Sequence, residues 1–398
     1  MKMRICVKKR SRMLWIGIAV LTVGLNVLAW NSTAFCDAYI AYVFPVWVNT
    51  YGRVTGIFPF SVGEWMIGAG AALLVFTAVL SAVLGIMTIA SCIRKKWKQG
   101  ALFTGIRGFA KGFYRFFAWT VLIVCLVMTL NCFILYHASA FSQKYFGEDT
   151  KEHSLEEVFA LYNDIAKQCN ELAGQVLRDG EGNIMYPAGK NLPDMEEKAV
   201  EIMKQLGKSY PQLDGYYPRP KALLASDFMC QQYMQGYYFP FSMEANYNDV
   251  MYILNKPATM CHELAHLRGY IFEDEANFIS YLACVQSDDV TFRYSGYMSV
   301  LPYVTNDLYQ AMQTSPDRYA EAARKTGIVK LDEQVLADDI FVTEEEWGRI
   351  NGKALIDTET VDEISDAFVD TTLKINGVSD GMVSYSRVVE LLLQYYAM

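Results

Sequence analysis

The sequence predicts an α+β protein in which N-terminal transmembrane helices precede a mainly helical domain with a small sheet. Apolar residues make up 53% of the 398 residues and concentrate before residue 137. The remainder has helical periodicity, interrupted after Gly215 by short aromatic and β-branched segments. We therefore predict a membrane anchor over residues 1–137, a helical linker or cap over 138–214 and a third domain over 215–398.

Three apolar runs in the anchor are long enough to cross a bilayer, whose hydrocarbon core is about 30 Å thick. They cover residues 13–30, 65–93 and 116–136. A cleaved signal peptide is the alternative for the first run, but the apolar run is long and no clear small-x-small cleavage site precedes Cys36. The lipid bilayer is thus a predicted partner, contacted through three helices.

Basic residues are distributed unevenly between the loops. Residues 2–12 hold six Lys and Arg, residues 31–64 hold only Arg53, and residues 94–115 hold seven. By the positive-inside rule, the N-terminus and the second loop are cytoplasmic. We expect a multi-pass protein of the cell membrane whose C-terminal domain is extracytoplasmic.

The chain after the anchor is acidic. Residues 1–137 hold 14 of the 35 Lys and Arg residues and 2 of the 43 Asp and Glu residues. Residues 138–398 therefore hold 21 basic and 41 acidic residues, a net charge of −20. An acidic surface argues against nucleic acid as a partner.

Two helices are predicted directly after the anchor. A capping box at Ser154 begins a helix over 155–177. A turn over 179–183 separates it from a second helix over 194–206.

The small sheet is predicted from three segments bounded by Gly, Pro and Asn, which cover residues 221–225, 236–241 and 245–247. Residues 236–239 (GYYF) are the expected edge strand, which would pair with an extended peptide. Alternatively, the same aromatic residues fill the buried face of the sheet.

The central motif is HExxH, with His262, Glu263 and His266. On a helix its two histidines lie one turn apart on one face, where both imidazoles reach one metal ion and Glu263 lies beside the water bound there. Pro257 in the first turn and Gly269 past the end frame such a helix. The pattern indicates zinc hydrolase chemistry; the alternative is a helix that carries two histidines by chance.

A catalytic zinc site usually has three protein ligands, so a third must lie nearby. Phe272 stands where the longer metzincin motif has a third histidine, and it cannot bind metal. Glu273 and Glu275 begin a second helix and lie about 200° apart around it, so only one of them can face the metal. Asn277 shares a face with Glu273 and would hold a ligand by hydrogen bonding.

The order HExxH, short break, ExxAN resembles that of the glutamate-zincin metallopeptidases. This resemblance implies a zincin-like fold for residues 215–398 and Glu273 as the third zinc ligand. The chain is also similar to a bacterial family of membrane-anchored proteins known only as a domain of unknown function, which implies a zinc site but no established substrate. The matching segments are residues 236–248, 257–269, 273–284, 293–297 and 375–393.

Residues 293–297 (RYSGY) are predicted to precede an apolar helix over 298–312. A phenol or guanidinium here would stabilise the oxyanion of a tetrahedral intermediate, and the candidates are Tyr294, Tyr297 and Arg293. A helix capped by Thr343 and an amphipathic helix over 384–395 complete the predicted elements.

Together these residues predict a membrane-anchored zinc metallopeptidase. His262, His266 and Glu273 would bind zinc, and Glu263 would act as general base towards a protein or peptide substrate. The alternative is a zinc-binding structural or sensor domain without turnover, which has no use for Glu263 as a base. A peptidase that cleaves a cytoplasmic repressor would require the opposite topology.

Overall fold

Helices dominate the computed structural model, which describes residues 2–93, 101–147, 153–187, 194–375 and 387–397. The N-terminal helices are α1 (Lys2–Asn31), α2 (Thr33–Tyr42), α3 (Phe44–Trp47), α4 (Arg53–Thr55), α5 (Val62–Ile93) and α6 (Ala101–Met128). A π-helical turn at Thr129–Phe133 continues α6.

Three of these helices are long and apolar enough to cross a membrane, over Arg10–Asn31, Val62–Ser91 and Phe103–His137. They coincide with the three apolar runs of the sequence. The third helix begins earlier than its apolar run, because α6 also includes basic residues that the sequence assigned to a loop. Lys and Arg end an apolar run but have high helix propensity, so the helix continues through them.

Twelve α-helices of the described chain follow the anchor. They are α7 (Phe141–Tyr145), α8 (Leu155–Ala173), α9 (Met195–Gly207), α10 (Ser226–Gln231), α11 (Lys256–His266), α12 (Glu273–Val285), α13 (Val290–Thr314), α14 (Pro316–Thr326), α15 (Glu333–Asp338), α16 (Glu344–Lys353), α17 (Thr358–Ile375) and α18 (Arg387–Ala397). The caps expected at Ser154 and Thr343 are confirmed, since each side chain accepts a hydrogen bond from the first turn of its helix. Asp194 caps α9 in the same way. Residues 384–386 of the expected last helix lie outside the described residues.

The prediction that residues 293–297 precede a helix is wrong. Helix α13 begins at Val290, after Asp289, whose side chain accepts a hydrogen bond from the Phe292 N–H. Gly296 does not break this helix, because it lies where α13 packs against α12. A Cβ at Gly296 would lie 2.7 Å from the Cβ of Cys284, so this glycine permits close helix packing.

The sheet has three strands, β1 (Lys221–Ala222), β2 (Gly236–Phe239) and β3 (Glu244–Tyr247), in the order β1-β3-β2. β1 pairs with β3 in parallel and β2 pairs with β3 in antiparallel register. Within the described chain β2 is an edge strand, as expected. The predicted fold class is confirmed: a mostly helical protein with a small sheet and three apolar helices near its N-terminus.

One apolar core joins the anchor to the rest of the protein. Its buried residues run from Ala29, at the end of α1, to Leu393 in α18. Ile165 of α8 and Ile202 of α9 belong to it, and so does Leu264 of α11. The loop after the first membrane helix and the helices after the anchor are therefore packed together. The boundary between residues 138–214 and 215–398 stays a prediction.

Candidate metal centre

Helix α11 positions the two histidines of the HExxH motif. Pro257 occupies its first turn, where a missing backbone N–H costs nothing. Gly269 follows its end with a φ of +89°, a left-handed conformation that glycine adopts without strain. Burial of Met260 and Leu264 fixes the orientation of the helix about its axis. His262 and His266 consequently share one face, with ring centroids 4.7 Å apart.

Glu273, the first residue of α12, meets these histidines. Its Oε2 lies 2.9 Å from His262 Nε2, and its Oε1 lies 3.9 Å from His266 Nε2. The two Nε2 atoms are 3.0 Å apart. One potential ligand atom from each of the three residues thus falls within 4.8 Å of the others, the spacing of a metal site.

The opposite nitrogen of each imidazole is bound to an oxygen acceptor. His262 Nδ1 lies 2.8 Å from Asn277 Oδ1, and His266 Nδ1 lies 2.7 Å from the Tyr270 carbonyl oxygen. Asn277 is oriented in turn by its Nδ2, which donates to the Tyr303 hydroxyl at 3.0 Å. Both rings therefore carry a proton on Nδ1 and direct the lone pair of Nε2 at the centre.

This arrangement fits a metal ion. Two Nε2 lone pairs and a carboxylate point at each other, and they repel unless a positive charge lies between them. Two imidazoles and one carboxylate are ligands that zinc takes in catalytic sites, where a fourth position stays open. The three residues proposed from the sequence as metal ligands are thus brought together.

The protonation of the centre without metal follows from its electrostatics. Burial opposes a charge on His262, but the Glu273 carboxylate raises the pKa of this imidazole to about 9. Burial lowers the pKa of His266 to about 4. Burial alone would raise the pKa of Glu273, yet hydrogen bonding to His262 lowers it. In the metal-free site, one proton between His262 and Glu273 therefore balances the negative charge of the carboxylate. A metal cation would replace that proton.

Glu263 lies beside the centre without binding to it. It is buried, and the backbone N–H of Tyr238 donates to its carboxylate. Its Oε2 is buried without a hydrogen-bond partner in the described structure, an arrangement that usually costs about 1–3 kcal/mol. Burial raises the pKa of this carboxyl to about 8. The side chain is thus a proton acceptor whose second oxygen is not used by the protein.

Glu275 lies on the other side of α12. Its Oε1 accepts a hydrogen bond from the backbone N–H of Phe141, at the start of α7. Burial raises the pKa of its carboxyl to about 8. The structure therefore brings Glu273, and not Glu275, to the histidines.

Tyr294 and Tyr297 have other neighbours. The buried Tyr294 hydroxyl donates to Asp338 at 2.9 Å, and the Tyr297 ring packs edge-on against Tyr281. Among the described residues, no hydrogen bond joins either tyrosine to the three candidate ligands. Because residues 293–297 are helical, these side chains are fixed by helix packing and do not lie on a loop near the centre.

Tyr303 is the tyrosine of α13 that reaches the centre, and the sequence did not single it out. It lies nine residues after Tyr294, about 13.5 Å further along the helix axis. Burial, and then the charge of Glu273, raises the pKa of its phenol to about 12. Its hydroxyl accepts from Asn277 and keeps its own proton for donation. Only the tertiary packing of α13 against α12 reveals this position.

The free edge of β2 faces the centre. Asn248 N–H donates to the Gln235 carbonyl at 2.7 Å, so by alternation Tyr237 and Phe239 also direct their backbone groups at β3. The backbone N–H and C=O groups of Gly236 and Tyr238 therefore point away from β3, towards the edge of β2 that no strand of the described chain covers. A Cβ at Gly236 would lie 2.9 Å from Glu263 Oε1, which shows how closely strand and helix approach.

The fold and the centre define a class: a membrane-anchored helical protein with a small sheet and a His, His, Glu cluster at one edge strand. A family described as protein of unknown function (DUF3810) matches residues 39–393, and the chain belongs to that family. No curated protein and no solved structure matches the chain. The expected membership of an uncharacterised family is thus confirmed over most of the chain.

Proposed function

We propose that this protein is a membrane-anchored zinc metallopeptidase. The observation that carries the proposal is the approach of His262 Nε2, His266 Nε2 and Glu273 within 4.8 Å, with both Nδ1 protons bound elsewhere. These residues would hold zinc. When bound, zinc supplies a Lewis acid for the scissile carbonyl and lowers the pKa of water towards neutrality.

Glu263 is the proposed general base. Its unpartnered Oε2 accepts a proton from the attacking water and returns that proton to the leaving amine. A structural zinc site would gain nothing from a buried carboxylate with an unsatisfied oxygen, because that oxygen only destabilises the fold.

Two further groups would act on the substrate. The Tyr303 hydroxyl is linked to the candidate ligands through Asn277, and it is suited to stabilise a developing oxyanion. The backbone groups of Gly236 and the carbonyl of Tyr238, which point away from β3, would pair with an extended peptide, which gives affinity without sequence specificity. The order HExxH, short break, ExxAN, in which Glu273 is the first residue of ExxAN, is similar to that of the glutamate-zincins and supports this assignment.

The metal-binding side is proposed to face outward from the cell membrane, with the N-terminus cytoplasmic. Positive charge on residues 2–12 and 94–115, against Arg53 alone on residues 31–64, supports this orientation.

The test compares three variants of the full-length protein in lipid nanodiscs. His262→Ala should lose both zinc and hydrolysis. Glu263→Gln should keep zinc and lose hydrolysis by about 10²- to 10⁴-fold, because the amide cannot accept the proton. His153→Ala, a histidine outside the centre, is the matched control and should keep both.

Zinc content is measured on the nanodisc protein, and cleavage of casein is its first activity assay. The peptides released from cells that express each variant are then compared. If Glu263→Gln and wild-type cells release the same peptides while His262→Ala cells differ, zinc has a structural or sensory role and the peptidase proposal fails.

A further inference from the structure

The edge strand that faces the metal centre ends inside the membrane anchor. Phe239, its last residue, packs on Gly63 near the start of α5, where an added Cβ would lie 2.8 Å from the Phe239 ring. The next residue, Pro240, accepts a hydrogen bond from Asn131 Nδ2 of the third membrane helix at 2.8 Å. The Tyr238 hydroxyl donates to the Asn131 carbonyl at 3.1 Å. The turn after β2 is thus held between the second and third membrane helices.

A buried ion pair makes this attachment rigid. Glu244 of β3 pairs with Lys221 of β1, and both side chains are almost fully buried. Glu244 also accepts from the backbone N–H groups of Val62 and Gly63, the first residues of α5, at 3.1 and 2.8 Å. Lys221 Nζ donates to the carbonyl of Thr55, the last residue of α4, at 2.8 Å. The sheet therefore has a fixed orientation relative to the membrane helices.

Exposed apolar side chains mark the level of the bilayer beside this attachment. Glu64 accepts from the backbone N–H groups of Leu224 and Ala225, which places the start of α10 against α5. Leu224 is 77% exposed, Phe228 53% and Trp65 64%. Tryptophan at the end of a membrane helix is typical of the membrane–water interface. These side chains suit the boundary between lipid and water.

A peptide paired with the free edge of β2 has one end beside Phe239 and Pro240. The contact between Glu263 and Tyr238 lies only two residues, about 7 Å of extended strand, from Pro240. On that side the peptide must leave through the outer ends of the membrane helices or the lipid around them. A freely soluble chain would be blocked there, whereas a chain that continues into the bilayer leaves in this direction.

We propose that the substrate is a membrane-anchored polypeptide, cleaved in the stretch directly outside the bilayer. This inference rests on the proposed peptidase function and specifies its substrate class. The specificity comes from geometry: the anchor admits the extended segment nearest to the membrane and excludes chains that need space on both sides of the edge strand.

The test uses the full-length protein in nanodiscs together with reporters that consist of one apolar anchor helix, a mixed-sequence library about 12 residues long and a soluble tag. In one arm the library follows the anchor directly. In a second, a Gly/Ser spacer of about 40 residues, which spans about 35 Å, separates them. A third arm presents the library in solution. Each membrane arm is made with the anchor at either end, because the strand register does not fix the direction of the peptide.

Release of the tag from the adjacent arrangement should be at least about tenfold faster than from the spaced or soluble arrangement, in one of the two anchor orientations. Equal or faster cleavage of the spaced or soluble library would overturn the substrate class while leaving the peptidase proposal intact.

Binding is measured separately in the Glu263→Gln background, with a photo-crosslinking amino acid in place of Phe241, in the turn after β2, or of Leu336, an exposed position of α15. The Phe241 position should capture the adjacent reporter, and the Leu336 position should not. Capture without any cleavage by the parent protein would support the site of substrate binding and overturn the peptidase proposal. Absence of both capture and cleavage would overturn both.

Discussion

At the scale of single residues, the candidate metal centre depends on hydrogen bonds made by the imidazole nitrogens that point away from it. The Nδ1 atoms of His262 and His266 contact oxygen acceptors, which frees both Nε2 atoms for a cation. Glu273 completes the set because it begins α12, one short turn after α11 ends. Each of the two candidate histidine ligands therefore depends on a neighbour that would not itself contact a metal ion.

The first prediction compares three neighbouring positions of α12. Loss of a residue that only hydrogen-bonds to a ligand typically weakens metal binding about 10–100-fold, and Asn277→Ala should fall within that range. Glu273→Gln should weaken zinc binding by well over that range, because it removes a ligand. Glu275→Gln is the matched control and should retain zinc, because its amide oxygen can still accept from Phe141. Zinc affinity is measured by competition with a chelator. Stronger loss in Glu275→Gln than in Glu273→Gln would refute the assignment.

The sequence predicts the ligands but not the groups around them. Helix periodicity places His262 and His266 on one face of a helix. Glu273 begins the next helix, and the resemblance to the glutamate-zincins, not periodicity, favours it over Glu275. Tyr303 lies 26 residues after Asn277 and contacts it only because α12 and α13 pack together. Residues 293–297 contain a glycine, which locally favours a turn, and the packing of α13 against α12 outweighs that preference.

At the scale of elements, the sheet is held by its contacts with the start of α5. β1 supplies Lys221 and β3 supplies Glu244, and their pair replaces the solvent that the α5 N-terminus would otherwise need for its N–H groups. The edge strand was expected from aromatic residues 236–239. The attachment of this strand to the membrane helices was not predicted. Its partners Gly63 and Asn131 lie more than a hundred residues earlier, in apolar segments whose sequence does not indicate such a contact.

The second prediction tests this attachment. Glu244→Gln leaves the Lys221 ammonium buried without its counter-charge, which typically costs about 3–5 kcal/mol. The thermal unfolding midpoint of the protein in nanodiscs should fall clearly. Lys325→Met, which breaks an exposed pair with Glu156 and Glu321, is the control and should leave the midpoint unchanged. An unchanged midpoint in Glu244→Gln would show that the pair adds no stability.

At the scale of the whole molecule, three apolar helices and one continuous core join membrane and metal centre into a single unit. The core runs from the end of α1 to α18, so the part after the anchor is not a separate body on a flexible tether. The side of the membrane on which it lies is proposed from the distribution of charge alone.

The third prediction concerns that side. An alkaline phosphatase reporter fused after about residue 150 should be active, and a cytoplasmic reporter at the same position should be silent, because the positive-inside rule places this segment outside. Fusion after Gln99, in the basic second loop, is the control and should give the opposite pattern. The reverse result at both positions would invert the topology and favour a cytoplasmic substrate.

The contact of Glu244 with the start of α5 also constrains the order of biogenesis. Strands β1 and β3 are made long after the second membrane helix. Their buried charges, Lys221 and Glu244, pair with each other and also bind backbone groups of that helix and of the segment before it. We expect the sheet, and with it the edge beside Glu263, to mature only on chains whose second helix is already inserted. Newly made protein that misses the membrane would then lack this edge, and the proposed peptidase would stay inactive in the compartment of synthesis.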